Sequence, residues 1–277
     1  MNRIAALTIV RNSDRFLKRW ISYYGAVFGR ENLYVIFDGT DQKLPQESEG
    51  VTVHWFDHTP MKRAAGDRQR ASWASGLAKK LLNTYDIVIG TDVDEFLLID
   101  PSLDFSLSSY LLSIDLPPSL SALGMDVACN RNYEGVFDWD KPFLGQRQYC
   151  QISDRYTKAC VLSRPLRWGS GFHRVKGTGF TIDPSLFLFH FGSVDEQVVL
   201  NNADDPEKKA MGWASHQVRR AAVADEISSV HDFLSDERIK TARRELSRPR
   251  SLLAWNKPRP LKSDKIVHIP KRFHGLV

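Results

Sequence analysis

Short apolar runs closed by polar turns alternate with amphipathic stretches over the first hundred residues. Ile4–Val10 (IAALTIV) reads as a strand that ends at Arg11-Asn12-Ser13-Asp14, where Ser13 or Asp14 can cap a helix. From Phe16 to Phe28 the apolar residues Leu17, Trp20, Ile21, Tyr24 and Phe28 recur at helical spacing, and Gly29 ends the pattern. Leu33–Phe37 (LYVIF) and Val51–Phe56 (VTVHWF) read as strands, the first closed by Asp38-Gly39-Thr40-Asp41. Ala64–Leu82 reads as a long helix with Arg63, Arg68 and Arg70 near its start, and Ile87-Val88-Ile89 as a fourth strand. This order predicts an α/β fold, a mainly parallel, doubly wound sheet flanked by helices. Ligands of such sheets bind beyond the carboxyl ends of the strands. Three of those ends carry polar groups here, so they are expected to converge on one cleft.

After Pro101 the pattern changes. Leu103–Leu116 reads as a helix stopped by Pro117-Pro118, and Leu120–Ala128 as a strand. Asn130–Tyr149 has no clean period and reads as a long binding loop. Lys158–Leu162, Thr178–Ile182 and Leu186–Phe191 read as strands, with a tight Asp183-Pro184-Ser185 turn between the last two. Met211–Ile227 and Ser235–Leu246 read as helices, and the end beyond Pro249 is Pro-rich and basic.

Between Asp86 and Asp100 the chain reads DIVIGTDVDEFLLID, with Asp92, Asp94 and Glu95 set between two apolar runs. Alternation along an extended backbone puts Asp92 and Asp94 on one side and Glu95 on the other. Two ionised carboxylates on one side repel unless a cation or a proton lies between them. A divalent metal at the end of a central strand is therefore expected; the plainer alternative is acids that cap the next turn and face water. His190, inside the apolar run LFLFHF, reads either as a satisfied core histidine or as a ligand. Phe137, Trp139, Tyr133 and Trp168 offer flat faces for a sugar or base, or ordinary packing.

The 277 residues suit one α/β domain over residues 1–202 with a basic, largely helical extension over 203–277 packed on it. The net charge of +5 comes from that last quarter, where 16 Lys and Arg face 10 Asp and Glu. Such a region can meet an anionic membrane surface or an anionic polymer, or be a solvated helical face. Three cysteines, Cys129, Cys150 and Cys160, at spacings matching no zinc pattern, suggest a reduced, cytoplasmic protein. The N-terminal apolar stretch is too short and too soon followed by charge to read as a secretory signal. No run of about 18 apolar residues suggests a membrane span. The absence of G-x-G-x-x-G after the first strand and of a P-loop motif argues against dehydrogenase and P-loop chemistry.

Taken in order, LTIVRN, IFDGTD, TDVDEFLLID and LFLFHFGS resemble glycosyltransferases of the GT-A fold, most of all the family 2-like proteins, over about residues 1–200. The resemblance implies a GT-A-like fold and transfer of a sugar from a UDP- or GDP-linked donor, with Mn2+ or Mg2+ as cofactor. It implies a saccharide or glycolipid acceptor, as in bacterial surface polysaccharide synthesis, with no nucleic acid partner. A place at the inner face of the membrane fits the basic end of the chain. By position, Asp92 and Asp94 match the D-x-D pair that holds the metal at the donor's diphosphate, and the late His190 completes the metal site. Asp38 matches the acid that contacts the nucleoside, and Val10, Arg11 and Asn12 match the loop lining base and ribose. Arg68 is a candidate to reach a phosphate, and His173 and Lys176 are candidates for phosphate or acceptor binding. An inverting transfer needs a general base; Glu95, Glu134, Asp138, Asp154 and Asp195 are the candidates, beside Asp94 as a catalytic acid.

Two other readings compete. A sugar-phosphate nucleotidyltransferase needs a Gly-rich basic loop straight after the first strand, where this chain has RNSDRF. A non-catalytic polyanion-binding protein would use the basic last quarter and leave the acidic cluster unexplained.

Overall fold

Seven residues from Ile4 to Val10 lie on a fully covered strand, β1, because nearly every side chain in the run is apolar and meets a helix or another strand. In a computed structural model, residues 3–204, 214–231, 236–248, 250, 256–263 and 265–277 are described. The chain continues through helix α1 (Asp14–Phe28), β2 (Leu33–Asp38), β3 (Thr52–Phe56), α2 (Arg63–Leu81), β4 (Ile87–Gly90) and β5 (Glu95–Ile99). Then follow α3 (Leu107–Ser113), β6 (Ser119–Ala128), β7 (Tyr149–Ile152), β8 (Val161–Leu162), β9 (Arg167–Trp168), β10 (Val175–Lys176) and β11 (Ile182–Ser193). Helices Glu196–Asp204, Ala214–Ser229 and Asp236–Leu246 precede a last short strand, β12 (Ile266–His268).

Helices flank a mixed sheet in the order β12-β7-β6-β8-β4-β1-β2-β3, with β11 on β6 and β5 on β11. Its N-terminal part, β3-β2-β1-β4, is parallel, as is the β6–β11 pair. Antiparallel pairs join β8 to β4 and β6, β7 to β6, β12 to β7 and β5 to β11. The chain runs β1 to β2 to β3 in one direction and then returns to the other side of β1 for β4. The strand order therefore reverses between β1 and β4, the place where sheets of this kind bind ligands in a crevice beyond the strand ends.

Helix α1 ties this sheet to the crevice. Its buried residues Phe16, Leu17, Trp20, Ile21 and Tyr24 recur on one face, each burying area worth roughly 2–3 kcal/mol. Trp20 Nε1 donates to Thr91 Oγ1 (3.0 Å), and Tyr24 Oη donates to the Glu95 carbonyl while accepting from Leu97 N–H (2.8 Å). The core of α1 is thus bonded to both sides of the acidic turn. Phe137, Phe143 and Trp168 are buried packing residues. Trp139, held edge-on against Phe16, is partly buried, and Tyr133 is exposed.

Several expected elements differ, among them the strand expected over Thr178–Ile182, of which only Ile182 is extended, as the first residue of β11. The helix expected over Leu103–Leu116 is confined to Leu107–Ser113, because Asp104 takes a left-handed conformation (φ 54°) and Ser106 caps a new start by accepting from Ser109 N–H. The expected Asp183-Pro184-Ser185 turn is instead a bulge within one strand, β11, whose register on β6 shifts between Ile182 and Phe187. Pro184 has no N–H to give the ladder, and Asp183 accepts from the Ser185 and Leu186 amides in its place.

The end of the chain is bound to the sheet. β12 pairs with β7, and Phe273 is buried between Phe187 and Phe189. Arg272 forms a forked ion pair with Asp100. The starts of the two helices expected at Met211 and Ser235, and residues 251–255 and 264 of the tail, lie outside the described residues. No described helix is long and apolar enough to cross a membrane.

Candidate active site

β4 ends at Gly90 and β5 begins at Glu95, so Asp92–Glu95 is a turn at the crevice and not an extended strand. Glu95 N–H donates to the Asp92 carbonyl (3.0 Å), and Asp92 N–H donates back to Glu95 Oε2 (3.2 Å). Strand alternation therefore does not set the side-chain directions. Asp92 and Glu95, expected on opposite sides, converge on Lys158, whose Nζ lies 2.6 Å from Asp92 Oδ2 and 2.5 Å from Glu95 Oε1. Asp94 turns to a different pair, with Arg220 Nη2 at 3.0 Å and His190 Nε2 at 3.4 Å from its Oδ2. His190 lies opposite Glu95 across β11 and β5, and its Nδ1 meets Asp126 Oδ1 on β6 at 2.7 Å. Tyr156 stacks on its ring at 3.8 Å.

Charge pairing in a dry setting governs the protonation of this cluster. Burial raises the Asp94 pKa, but the positive charges of His190 and Arg220 outweigh it and hold the group well below the usual carboxylate range. Burial lowers that of His190, yet Asp94 and Asp126 lift it to about 9, so the ring is an imidazolium at neutral pH. Lys158 is likewise opposed by burial and held charged by Asp92 and Glu95. Glu95 is pushed up to about 7 by burial, against the pull of Lys158 and with the help of Asp92. Burial, then Lys158, press His173 down to about 3, and its Nδ1 bonds the Arg155 carbonyl (2.8 Å).

A second polar group sits at the end of β2. Asp38, buried, accepts from Arg70 Nη1 and His58 Nδ1, both at 2.9 Å, and Arg70 also bridges to Asp67. Arg70, not Arg68, faces the crevice from α2; Arg68 is exposed. Gln42 crosses between strand ends, donating to the Val10 and Asp38 carbonyls and accepting from Asn12 N–H. Val10, Asn12 and Asp38 are thus gathered around one glutamine, and Arg11 is tied to the neighbouring Asp41.

The remaining candidates divide. Lys176 is exposed on the separate β9–β10 ribbon. The Glu134 side chain is covered and accepts from the Asn130 and Gln148 amides; Asp138 accepts from Asp140 N–H and pairs with Lys141. Both carboxylates hold loop backbone. Asp154 is partly exposed beside Arg155, and Asp195 accepts from Trp139 Nε1 (2.8 Å). Trp139 also lines an open cleft of about 1130 Å³ on the outer side of α1, with Arg15, Lys18, Asp138 and Lys141; the acidic turn is not part of its wall.

Sequence reading missed Lys158, Arg220, Asp126 and Arg70. Two of them leave a trace: Asp126 is a lone acid in an apolar strand, and Lys158 opens the apolar run KACVL, where a buried charge demands a partner. Arg220 leaves none, being one of two arginines in an ordinary helix.

The residues expected to hold Mn2+ or Mg2+ do not fit a metal as they stand. His190 has carboxylates facing both ring nitrogens and no lone pair free when charged; Asp94 and Asp92 are occupied by Arg220 and Lys158. Among the described residues no group of three His, Cys, Asp or Glu side chains is arranged to hold a metal ion.

No protein-family model and no curated protein matches the chain. Solved structures that share features of its fold include three at low similarity. One is a glycosyltransferase involved in the glycosylation of the major capsid of PBCV-1, at 12% identity over 44% of this chain and 51% of that one, TM-score 0.25. Another is mannose-1-phosphate geranyltransferase from Thermus thermophilus, at 10% identity over 83% of this chain and 65% of that one, TM-score 0.27. The third is a CMP:2-keto-3-deoxy-manno-octonic acid synthetase complexed with CTP, at 11% identity over 80% and 87%, TM-score 0.26. The chain thus spans about half and about two thirds of the first two. With TM-scores this low, none of them carries a functional argument, which rests on the site itself.

Proposed function

We propose that this chain is a glycosyltransferase that moves a sugar from a nucleotide-sugar donor to a hydroxyl of a saccharide or glycolipid acceptor. The observation that carries the reading is the content of the β1–β4 crevice. A buried polar group, Asp38 with Arg70 and His58, lies at one strand end, and a charge-dense turn, Asp92–Glu95 with Lys158 and Arg220, lies at the next but one. That spacing suits a base and ribose at the first and a diphosphate at the second, in the place where doubly wound sheets bind nucleotides. In the transfer, the bond from the anomeric carbon to the diphosphate oxygen breaks and the diphosphate takes the electron pair. The acceptor oxygen forms the new bond, and its proton passes to a carboxylate. Asp195 and Asp154 suit that base better than Glu95, which is buried against Lys158.

A nucleotidyltransferase fits less well. Only Arg11, Asn12 and Ser13 separate β1 from α1, which leaves no loop to wrap a triphosphate. Incubation with UDP- and GDP-sugars separates the two readings. Release of UDP or GDP supports sugar transfer, and pyrophosphate from a nucleoside triphosphate with a sugar phosphate overturns it.

A further inference from the structure

Arg220 stands where a divalent cation bound to Asp94 and His190 would have to stand. Its Nη2 is 3.0 Å from Asp94 Oδ2 and 3.4 Å from His190 Nε2, and those two atoms are 3.4 Å apart. Asp126 fixes the far nitrogen of His190, an arrangement that in metal sites orients a ligating imidazole. Here the near nitrogen looks onto a guanidinium.

The arginine is held in place by its helix, Ala214–Ser229. Val223, Ala224 and Ile227 pack on Ala128, and Asn130 and Asn132 donate to the Ile227 and Ser228 carbonyls. Arg131 pairs with Asp225, and Gln151 donates to Glu226. The buried Nε–H of Arg220 has no partner among the described residues, so the guanidinium has a donor left over. Lys158 plays the matching part on Asp92 and Glu95. Beside them, Arg219 neighbours Arg220 on the helix, and the exposed Arg155 neighbours Tyr156, which stacks on His190. Burial, together with the charges of Arg155 and Arg63, pushes the Arg219 pKa down.

We infer that protein cations neutralise the donor's diphosphate in place of a divalent metal, Arg220 in the floor of the site and Arg219 and Arg155 at its rim, while Lys158, buried between Asp92 and Glu95, offsets the charge of the acidic turn. The inference rests on the transferase reading above. Guanidinium groups give charge-assisted hydrogen bonds to phosphate oxygens, and they supply at the leaving group the charge a metal would.

Calorimetry on the full chain tests this, with UDP, GDP and CDP as probes, in EDTA and in Mn2+. For the wild type, the affinity for whichever nucleotide binds should differ by less than about threefold between the two conditions. Arg220→Gln should weaken binding about tenfold or more in EDTA and recover part of it in Mn2+, as the ion enters beside Asp94 and His190. An Arg220→Gln protein that still ignores Mn2+ overturns the placement of the guanidinium at the metal position. Because a floor variant can disturb folding, Arg219→Ala and Arg155→Ala are measured beside it. They change only exposed side chains, and each should weaken binding several-fold in EDTA; unchanged affinity overturns the rim assignment. Wild-type binding that appears only with Mn2+ overturns the inference and leaves the transferase reading standing. No nucleoside diphosphate binding in either condition overturns the transferase reading itself.

Discussion

Lys158 Nζ lies 2.5 Å from Glu95 Oε1, and the two side chains are 1% and 0% exposed. A buried ion pair of this kind is weak evidence for net stability, but removing one partner strands the other in a dry site. Lys158→Met should therefore cost about 3–5 kcal/mol in urea denaturation. Lys158→Met combined with Glu95→Gln should recover much of that loss, because the stranded charge is gone. A single-variant cost below about 1 kcal/mol would mean that water or another cation reaches Glu95 freely.

His190 makes stability depend on pH. Its folded pKa of about 9 lies above the ordinary histidine value of 6.5, so it binds its proton more tightly folded than unfolded. Its contribution is complete below pH 6.5 and is lost as pH rises through about 9, an effect of up to about 3 kcal/mol. The thermal midpoint should fall across that window, and His190→Gln should remove most of the fall. Asp94 acts on the opposite flank. Its pKa is lowered on folding, so its contribution is present above the ordinary aspartate range and lost only in strong acid. A midpoint that stays flat from pH 6.5 to 9 would contradict the carboxylate–imidazolium–carboxylate arrangement.

The parts of the fold legible in the sequence are those written in local periodicity. The nearly continuous apolar run of β1 and the one-faced pattern of α1 need no distant information. The acidic turn is legible as a cluster, yet its meaning depends on partners far along the chain: Lys158 is 66 residues from Asp92, and Arg220 is 126 from Asp94. No local pattern carries such pairings. The bulge at Pro184 reads as a turn because turn chemistry and bulge chemistry use the same residues. β12 has three residues, too few to show a period, and is held by pairing with β7.

Arg68 and Arg70 differ by two positions on one helix, which puts them on nearly opposite faces. Arg70 reaches Asp38 (2.9 Å), while Arg68 points to solvent. Arg70→Ala should weaken nucleoside diphosphate binding about tenfold, since Asp38 keeps only His58 and loses its orientation. Arg68→Ala should change affinity by less than about twofold. Calorimetry on the two variants decides it, and equal effects would remove Asp38 from the binding site.

Gly124 shows how the Lys158 segment is held against the sheet. Its N–H donates to Thr157 Oγ1 (3.0 Å), and its carbonyl accepts from Ser153 N–H (2.9 Å). A Cβ at this position would overlap the Tyr156 carbonyl carbon and the Thr157 amide nitrogen, both backbone atoms that no side-chain rotation can clear. Gly124→Ala should therefore push residues 153–158 off β6, at a cost of about 1–3 kcal/mol. The same shift moves Tyr156 from His190 and Lys158 from the acidic turn, so nucleotide affinity should fall with stability. Gly76→Ala is the control, because a Cβ there meets nothing within 4 Å and the position is inside α2. It should stabilise the protein by about 0.5–1 kcal/mol and leave affinity alone. If Gly124→Ala loses stability but binds nucleotide as well as the wild type, the Tyr156–Lys158 segment does not shape the site.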